Sequence, residues 1–411
     1  MEKFRHYGDA ATGIHPFTFV IAPTTAGRIA ATCMFPVRLL FSAVFAVLLG
    51  LTDTLLWVCH IVYLGVLGRL LLAPLQRAWL RGLLFFIGHV LPEWQSGELN
   101  SSSDSRAVAA GDLVVCNLQS VWDAMVLEVM LAQPYHLVCF PDATSATVEG
   151  GGRGGGGGTS TSAAAVAAGL RVFPPGPMQR WRVWAHVRRT GSRAFLEAQL
   201  PESAAQQAVR RMTEAAELPL HRVQAAAARA GVPVWWFAEG TCSNGRGLLP
   251  MPAVTCVSAT NTTTAASAGC VVHLATIQYD SPALQNVLGS DVEGTASALF
   301  RTGVLLYGST APAWTSPFFP TAEVTYRSTR LTRAMPSTEH GPAAAKSCWT
   351  LAAPALLELR HAMCQRGQAR VVSSGSSAVR RQPLSVGVKE KKGFIEAYQA
   401  MLDGSSGKTP A

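Results

Sequence analysis

Charge is what this sequence has least of. Only 14% of its 411 residues are Asp, Glu, Lys or Arg, against about a quarter in an ordinary soluble domain. The shortage is concentrated before residue 95. The net charge is +9, but the cations are scattered and form no dense block interleaved with aromatics. That distribution argues against nucleic acid as a partner and favours anionic lipid headgroups or small acidic molecules. The nine cysteines form no CxxC pair and keep no regular spacing. With Cys33, Cys59 and Cys139 in apolar surroundings, they are expected to be reduced, buried thiols on the cytosolic side. No group of His, Cys and Asp has metal-ligand spacing, so neither a metal nor a bound cofactor is expected.

A long apolar stretch stands where charge is missing. Between Arg38 and Arg69 the only formally charged side chain is Asp53. A straight spanning helix needs roughly 20 apolar residues, and each half on either side of Asp53 is too short. Arg28 and Arg38 precede the stretch, and Arg69, Arg77 and Arg81 follow it. If basic flanks stay cytoplasmic, both ends lie on one side of a membrane. The expectation is a hairpin dipping into the bilayer, with Gly50 and Asp53 near its turn. About forty residues precede it and no small-residue cleavage site follows, which argues against a cleaved signal peptide. The next segment, RLLLAPLQRAWLRGLLFFIGHVLPEW, places Arg69, Arg77 and Arg81 on one helical face. It reads as a helix in the membrane interface, with Trp79 and Trp94 at headgroup depth.

The pattern changes beyond residue 100. GDLVVCN, YHLVCF, RVWAHV, VPVWWF and VVHLATI are short apolar runs of strand type. SVWDAMVLEVMLAQ and the Ala-rich stretch 192–230 read as helices between them, and PTAEVTYR reads as a late strand before helices near 343–366 and 388–402. Such alternation predicts an α/β fold with a largely parallel or mixed sheet flanked by helices. Three low-complexity stretches interrupt it: a Gly/Ala-rich insertion at 143–170, a Thr/Ala/Ser stretch at 258–269 and a Ser/Arg stretch at 367–383. They are expected to be solvated and disordered.

Two segments fall at strand ends, where active sites of α/β sheets gather. They are VVCNLQSVWDAMVL and VWWFAEGTCSNGRGLLP. Asn117, Ser120 and Asp123 in the first, and Phe237, Glu239, Gly240 and Thr241 in the second, resemble the N-H-x4-D and F-P-E-G-T signatures of the glycerol-phosphate and lysophospholipid acyltransferase family. The form AEGTCSNGRGLL is similar to the lysophosphatidylcholine and fungal lysophosphatidic acid acyltransferase branch, as is FPVRLL at 35–40. The resemblance covers about residues 30–135 and 181–330, and extends weakly to VKEKKGFIEAY. It implies direct acyl transfer from acyl-CoA, as co-substrate, to the hydroxyl of a lysophosphatidic acid or lysophosphatidylcholine. It also implies phospholipid biosynthesis or remodelling on the cytosolic face of the endoplasmic reticulum or a lipid droplet.

The resemblance makes Asp123 the partner of a histidine general base, but Leu118 stands at the histidine position. A positioned base is worth about 10²–10⁴-fold, and leucine can neither accept nor donate a proton. His136, His186 and His273 are candidate substitutes. The alternative is a catalytically silent homologue that binds lipid or partners. Glu239, Gly240 and Thr241, with Asn117 and Ser120, are expected to shape the pocket for the glycerol and phosphate end of the substrate. Arg188 and Arg189, at the end of the presumed strand RVWAHV, and Arg246 are expected to face the phosphate. Asp123 has a plainer role open to it, capping a helix. The tryptophans at 181, 184, 235 and 236 read as core rather than acyl channel. The expected organisation is a tail at 1–28, a membrane hairpin and interfacial helix at 29–95, an acyltransferase-like domain at 105–335, C-terminal helices at 340–402 and a disordered tail at 403–411.

Overall fold

The structure, a computed structural model, describes residues 7–12, 14–17, 25–62, 65–88, 91–96, 108–130, 136–139, 171–173, 175–176, 179–189, 218–243, 247–258, 270–279, 295–307, 321–336, 348–364, 382–385, 391, 393–398 and 400. The Gly/Ala-rich insertion, most of the Thr/Ala/Ser and Ser/Arg stretches and the tail at 403–411 lie outside them.

Helix α1 (Thr25–Ile61) runs without a break through Gly50 and Asp53, and α2 (Gly65–Ile87) returns beside it. Phe41 stacks on Phe86, Phe45 meets Trp79, and Gly82 approaches Phe45 closely, which fixes the antiparallel register. The hairpin exists, but the chain reverses between Ile61 and Gly65 and not at Asp53. Small residues such as Gly82 permit that approach, because an added Cβ would meet the Phe45 ring at 2.5 Å.

One face of α1 carries exposed Val37, Leu40, Val44, Val47, Leu51, Leu55 and Val58. The opposite face buries Ala31, Arg38, Leu49, Thr52 and Asp53. Spacings of three and four residues put each set on one side of a helix. Arg38, expected as a flanking cation, is buried. It donates to the Phe86 carbonyl at 3.0 Å, the Ile87 carbonyl at 2.7 Å and the Leu299 carbonyl at 3.2 Å. It thereby caps the end of α2, where carbonyls lack helical partners.

The domain behind is built on a seven-stranded sheet. In chain order its strands are β1 (Leu91–Ser96), β2 (Leu113–Cys116), β3 (His136–Cys139), β4 (Arg171–Phe173), β6 (Val234–Phe237), β9 (Cys270–Tyr279) and β10 (Thr321–Leu331). Their spatial order is β1-β10-β9-β2-β6-β3-β4. The centre, β9-β2-β6-β3, is parallel, while β10 and β4 run antiparallel to their inner neighbours. The sheet is therefore mixed, flanked by helices, as the alternation of elements predicts. Its first strand includes Trp94, so 91–96 belongs to the sheet and not to an interfacial helix. Pairing with β10 supplies the backbone partners that a strand needs and a helix end would lack.

Alternate strand residues face opposite layers. Val114, Cys116, Trp235, Phe237, Ala275 and Ile277 share one core with α2, α3 (Asp123–Met130) and α4 (Gln179–Arg189). Leu113, Val115, Val234, Trp236, Val272 and Leu274 share the other with α5 (Leu220–Arg229) and α7 (Ala353–Cys364). Trp235 and Trp236 thus lie in the core on opposite faces. RVWAHV is helix α4 rather than a strand, and α5 forms the last part of the Ala-rich stretch.

Helix α6 (Thr295–Tyr307) packs on α1, with Phe300 against Phe35 at 5.4 Å. A smaller sheet orders β11 (Met335–Pro336), β12 (Cys348–Leu351), β8 (Val254–Val257) and β5 (Leu218–Pro219). The last pair is β7 (Gly247–Leu248) with β13 (Gln382–Pro383). The eight cysteines whose side chains are described are free thiols, but Cys33 is exposed and Cys59 half-buried on α1, contrary to the expected burial.

Candidate functional site

The two signature segments meet at the carboxyl ends of β2 and β6. The strands lie in parallel register, Cys116 beside Phe237, so the chain leaves both at the same edge of the sheet. Asn117 extends the β2–β9 pairing through its side chain. Its amide nitrogen donates to the Ile277 carbonyl at 3.0 Å, and its amide oxygen accepts the Ile277 N–H at 2.7 Å. Glu239 is buried, and each carboxylate oxygen accepts a backbone amide. Leu118 N–H donates to Oε2 at 2.6 Å and Leu249 N–H to Oε1 at 2.8 Å. Glu239 thus ties the first signature to the residue that follows the strand after the second. Gly240, at φ 71°, takes a left-handed conformation that favours glycine and turns the chain at this point.

Ser120 and Asp123 form a capping box at the start of α3. Ser120 Oγ accepts the Trp122 N–H at 3.3 Å, and Asp123 Oδ2 accepts the Ser120 N–H at 3.1 Å and the Gln119 N–H at 2.7 Å. The other oxygen, Oδ1, accepts the hydroxyl of Tyr279, the last residue of β9. Burial, reinforced by Asp123, pushes the Tyr279 hydroxyl well above its ordinary value, so the tyrosine keeps its proton. Ser120 also hydrogen-bonds to Tyr279. The group beside Asp123 is therefore a phenol.

Leu118 points into the core at 2% exposure. Its neighbour Gln119 is equally buried, and neither polar atom of its side chain has a hydrogen-bond partner among the described residues. Such a group marks a place for water or a polar ligand. Neither Tyr279 nor the bare Gln119 amide was singled out from the sequence. Tyr279 lies 156 residues from Asp123 and looks like an ordinary strand end.

The histidines divide. His273 lies in the first half of β9, beside Val114, with Nε2 at 3.3 Å from Asp112 Oδ2. Its Nδ1 meets the Tyr326 hydroxyl at 2.5 Å and the Ser328 hydroxyl at 2.9 Å. Six residues separate it from Tyr279, about 20 Å along a strand, too far to serve Asp123. His186 is on α4, its ring 5.4 Å from that of Phe173. The side chain of His136 lies outside the described residues.

The arginines also depart from expectation. Arg188 and Arg189 end a helix, not a strand, because α4 buries Arg180, Val183 and Val187 at helical spacing. Arg188 lies over the Trp184 ring at 5.2 Å, and Arg189 is exposed. Arg246 lies outside the described residues. The buried arginine of this helix is Arg180, which reaches Glu128 Oε1 at 2.7 Å and Asp53 Oδ1 at 3.4 Å. Asp53 also accepts from Gln76 Nε2 at 2.5 Å and Trp181 Nε1 at 3.1 Å. This joint between hairpin and domain satisfies the carboxylate and lets α1 continue through it.

Among the described residues no group of His, Cys, Asp and Glu is arranged to hold a metal ion. Comparisons with protein-family models, with curated proteins and with solved structures find no match to this chain.

Proposed function

We propose that this protein is a membrane-held acyltransferase that moves an acyl chain from acyl-CoA to the free hydroxyl of a lysophospholipid, of the lysophosphatidic acid or lysophosphatidylcholine class. The observation that carries the reading is the Asp123–Tyr279 pair beside the Glu239 turn at the carboxyl ends of β2, β6 and β9. Tyr279 stands in for the missing imidazole as a conduit. The substrate hydroxyl gives its proton to Tyr279 Oη while Tyr279 gives its own to Asp123 Oδ1. The substrate oxygen attacks the thioester carbonyl, the carbon–sulfur bond breaks, and the proton returns through Tyr279 to the departing thiolate. Gln119 offers a buried amide to the substrate's polar end.

The exposed apolar stripe of α1 supports attachment in the membrane plane. The joint at Asp53 sets the domain against the middle of the hairpin, so a hairpin inserted end-on would drag α3 and α4 into hydrocarbon. An apolar face sunk about 5–10 Å into the interface avoids this. The site then faces the cytosolic leaflet of the endoplasmic reticulum or a lipid droplet.

Burial of Leu118 favours a second reading, a lipid-binding homologue without turnover. An acyl-CoA assay on membranes, with either lysophospholipid as acceptor, separates the two. The first reading expects acylated product from the parent, a loss of about 10²–10⁴-fold in kcat for Tyr279→Phe, and retained lysophospholipid binding. Binding without product in the parent would leave the second reading standing.

A further inference from the structure

A lysine is buried behind the signature turn. Lys391, from the C-terminal segment, is 1% exposed. Its Nζ donates to Thr241 Oγ1 at 2.7 Å and to the Cys242 carbonyl at 2.8 Å, and the Phe17 ring covers it at 5.8 Å. An ammonium has three donors, and among the described residues no carboxylate lies within ion-pair distance of this one. Burying such a charge is costly, and a hydrocarbon side chain of similar length would fill the space without that cost.

The surroundings hold Lys391 in place. Ser385 N–H donates to Asp9 Oδ1 at 3.0 Å, and Leu384 N–H donates to the Leu248 carbonyl at 2.9 Å beside the β7–β13 pair. Arg360 bonds the same Leu248 carbonyl at 2.6 Å. Phe394 packs on Phe17 and Tyr7. The N-terminal and C-terminal segments thus clasp each other behind Glu239, Thr241 and Cys242.

We propose that Lys391 is a positioning residue of the lysophospholipid site, fixing the Thr241–Cys242 turn and directing its positive field toward the ligand's phosphate. This rests on the lysophospholipid reading above. Thr241 Oγ1 accepts from the ammonium, and such a charge-assisted bond is stronger than a neutral one and holds the turn against the lysine. The titratable groups acting on Lys391 are Cys242 and Glu239 from the turn, and Arg360 in turn acts on Glu239 and Asp9. Burial pushes the Cys242 thiol up to about 12. Despite burial, hydrogen bonds from Ser385 and Thr12 hold Asp9 at about 2. Burial pulls Lys391 down to about 8, so its charge is lost within an accessible range.

The test measures binding of the full chain to lysophosphatidylcholine, whose phosphodiester does not titrate in this range. A monoacylglycerol of the same chain length, which lacks phosphate, is the control. Parent affinity for lysophosphatidylcholine is expected to fall several-fold, up to about tenfold, between about pH 7 and about pH 9, with the control flat. The Lys391→Met variant should bind at both values as the parent does at the higher one. Thermal stability should move the other way. The unfolded chain holds the lysine proton more tightly, so stability rises as pH climbs from about 8 toward the ordinary lysine range. This separates lost binding from unfolding, and the parent profile decides even if the variant fails to fold. A flat parent profile, the same fall in the variant, or the same fall with monoacylglycerol overturns the role of Lys391. No lysophospholipid binding at any pH overturns the underlying reading as well.

Discussion

Position 118 holds a leucine whose side chain belongs to the core shared by β2, α3 and β6. An imidazole there would be desolvated, and Asp123 is not free to orient it, because Oδ1 holds the Tyr279 hydroxyl and Oδ2 holds two backbone amides. Leu118→His alone is therefore expected to cost about 1–3 kcal/mol in stability and to leave acyl transfer no faster. Combining it with Tyr279→Phe clears Oδ1. The double variant should exceed Tyr279→Phe by about 10²–10⁴-fold. Acyl-CoA turnover and thermal denaturation of the three variants check this. A rise in the histidine variant alone would mean that Tyr279 does not occupy Asp123. The Ser120–Asp123 pair was legible as a helix start from its three-residue spacing. Tyr279 was not, since only strand pairing brings Ile277 beside Asn117 and so sets Tyr279 near Asp123.

Among the elements, the join of the hairpin to the domain is the most exposed to a single change. Asp53 gathers Gln76, Arg180 and Trp181, and Arg180 has two further buried nitrogens without partners among the described residues. Asp53→Ala is expected to destabilise the protein by about 3–5 kcal/mol, the usual effect of breaking a buried ion pair, and Asp53→Asn by less. Unfolding in detergent micelles measures both, and an unchanged midpoint for Asp53→Ala would discard the joint.

The sequence shows Asp53 as the one interruption in an apolar run, but not what neutralises it. Helix α4 was misread for a related reason. Trp181, Val183, Ala185 and Val187 alternate as a strand would, while Arg180, Val183, Trp184 and Val187 keep helical spacing. The second set decides the outcome because Arg180 is drawn inward by Asp53 and Glu128, and periodicity alone counts arginine as polar. The runs GDLVVCN, VPVWWF and VVHLATI, buried on both faces, were legible as strands because nothing in them competes with that pattern.

For the whole molecule, the exposed stripe on α1 and the basic residues near it predict integral attachment from one face of the membrane. Carbonate-washed membranes are expected to keep the intact chain in the pellet, and the two N-x-Ser/Thr sequences Asn100-Ser-Ser and Asn261-Thr-Thr are expected to carry no glycan. Release of the chain, or a glycan at either asparagine, would contradict attachment to the cytosolic face. The clasp that carries Lys391 adds a temporal dimension. A ribosome makes α1 and α2 first and reaches Lys391 only after β13, the last strand of the described fold. The growing chain therefore has its greasy surface available to a bilayer before the ammonium exists to fix Thr241 and Cys242. A polypeptide stalled anywhere before Lys391 holds the Glu239–Cys242 turn without the lysine that braces it.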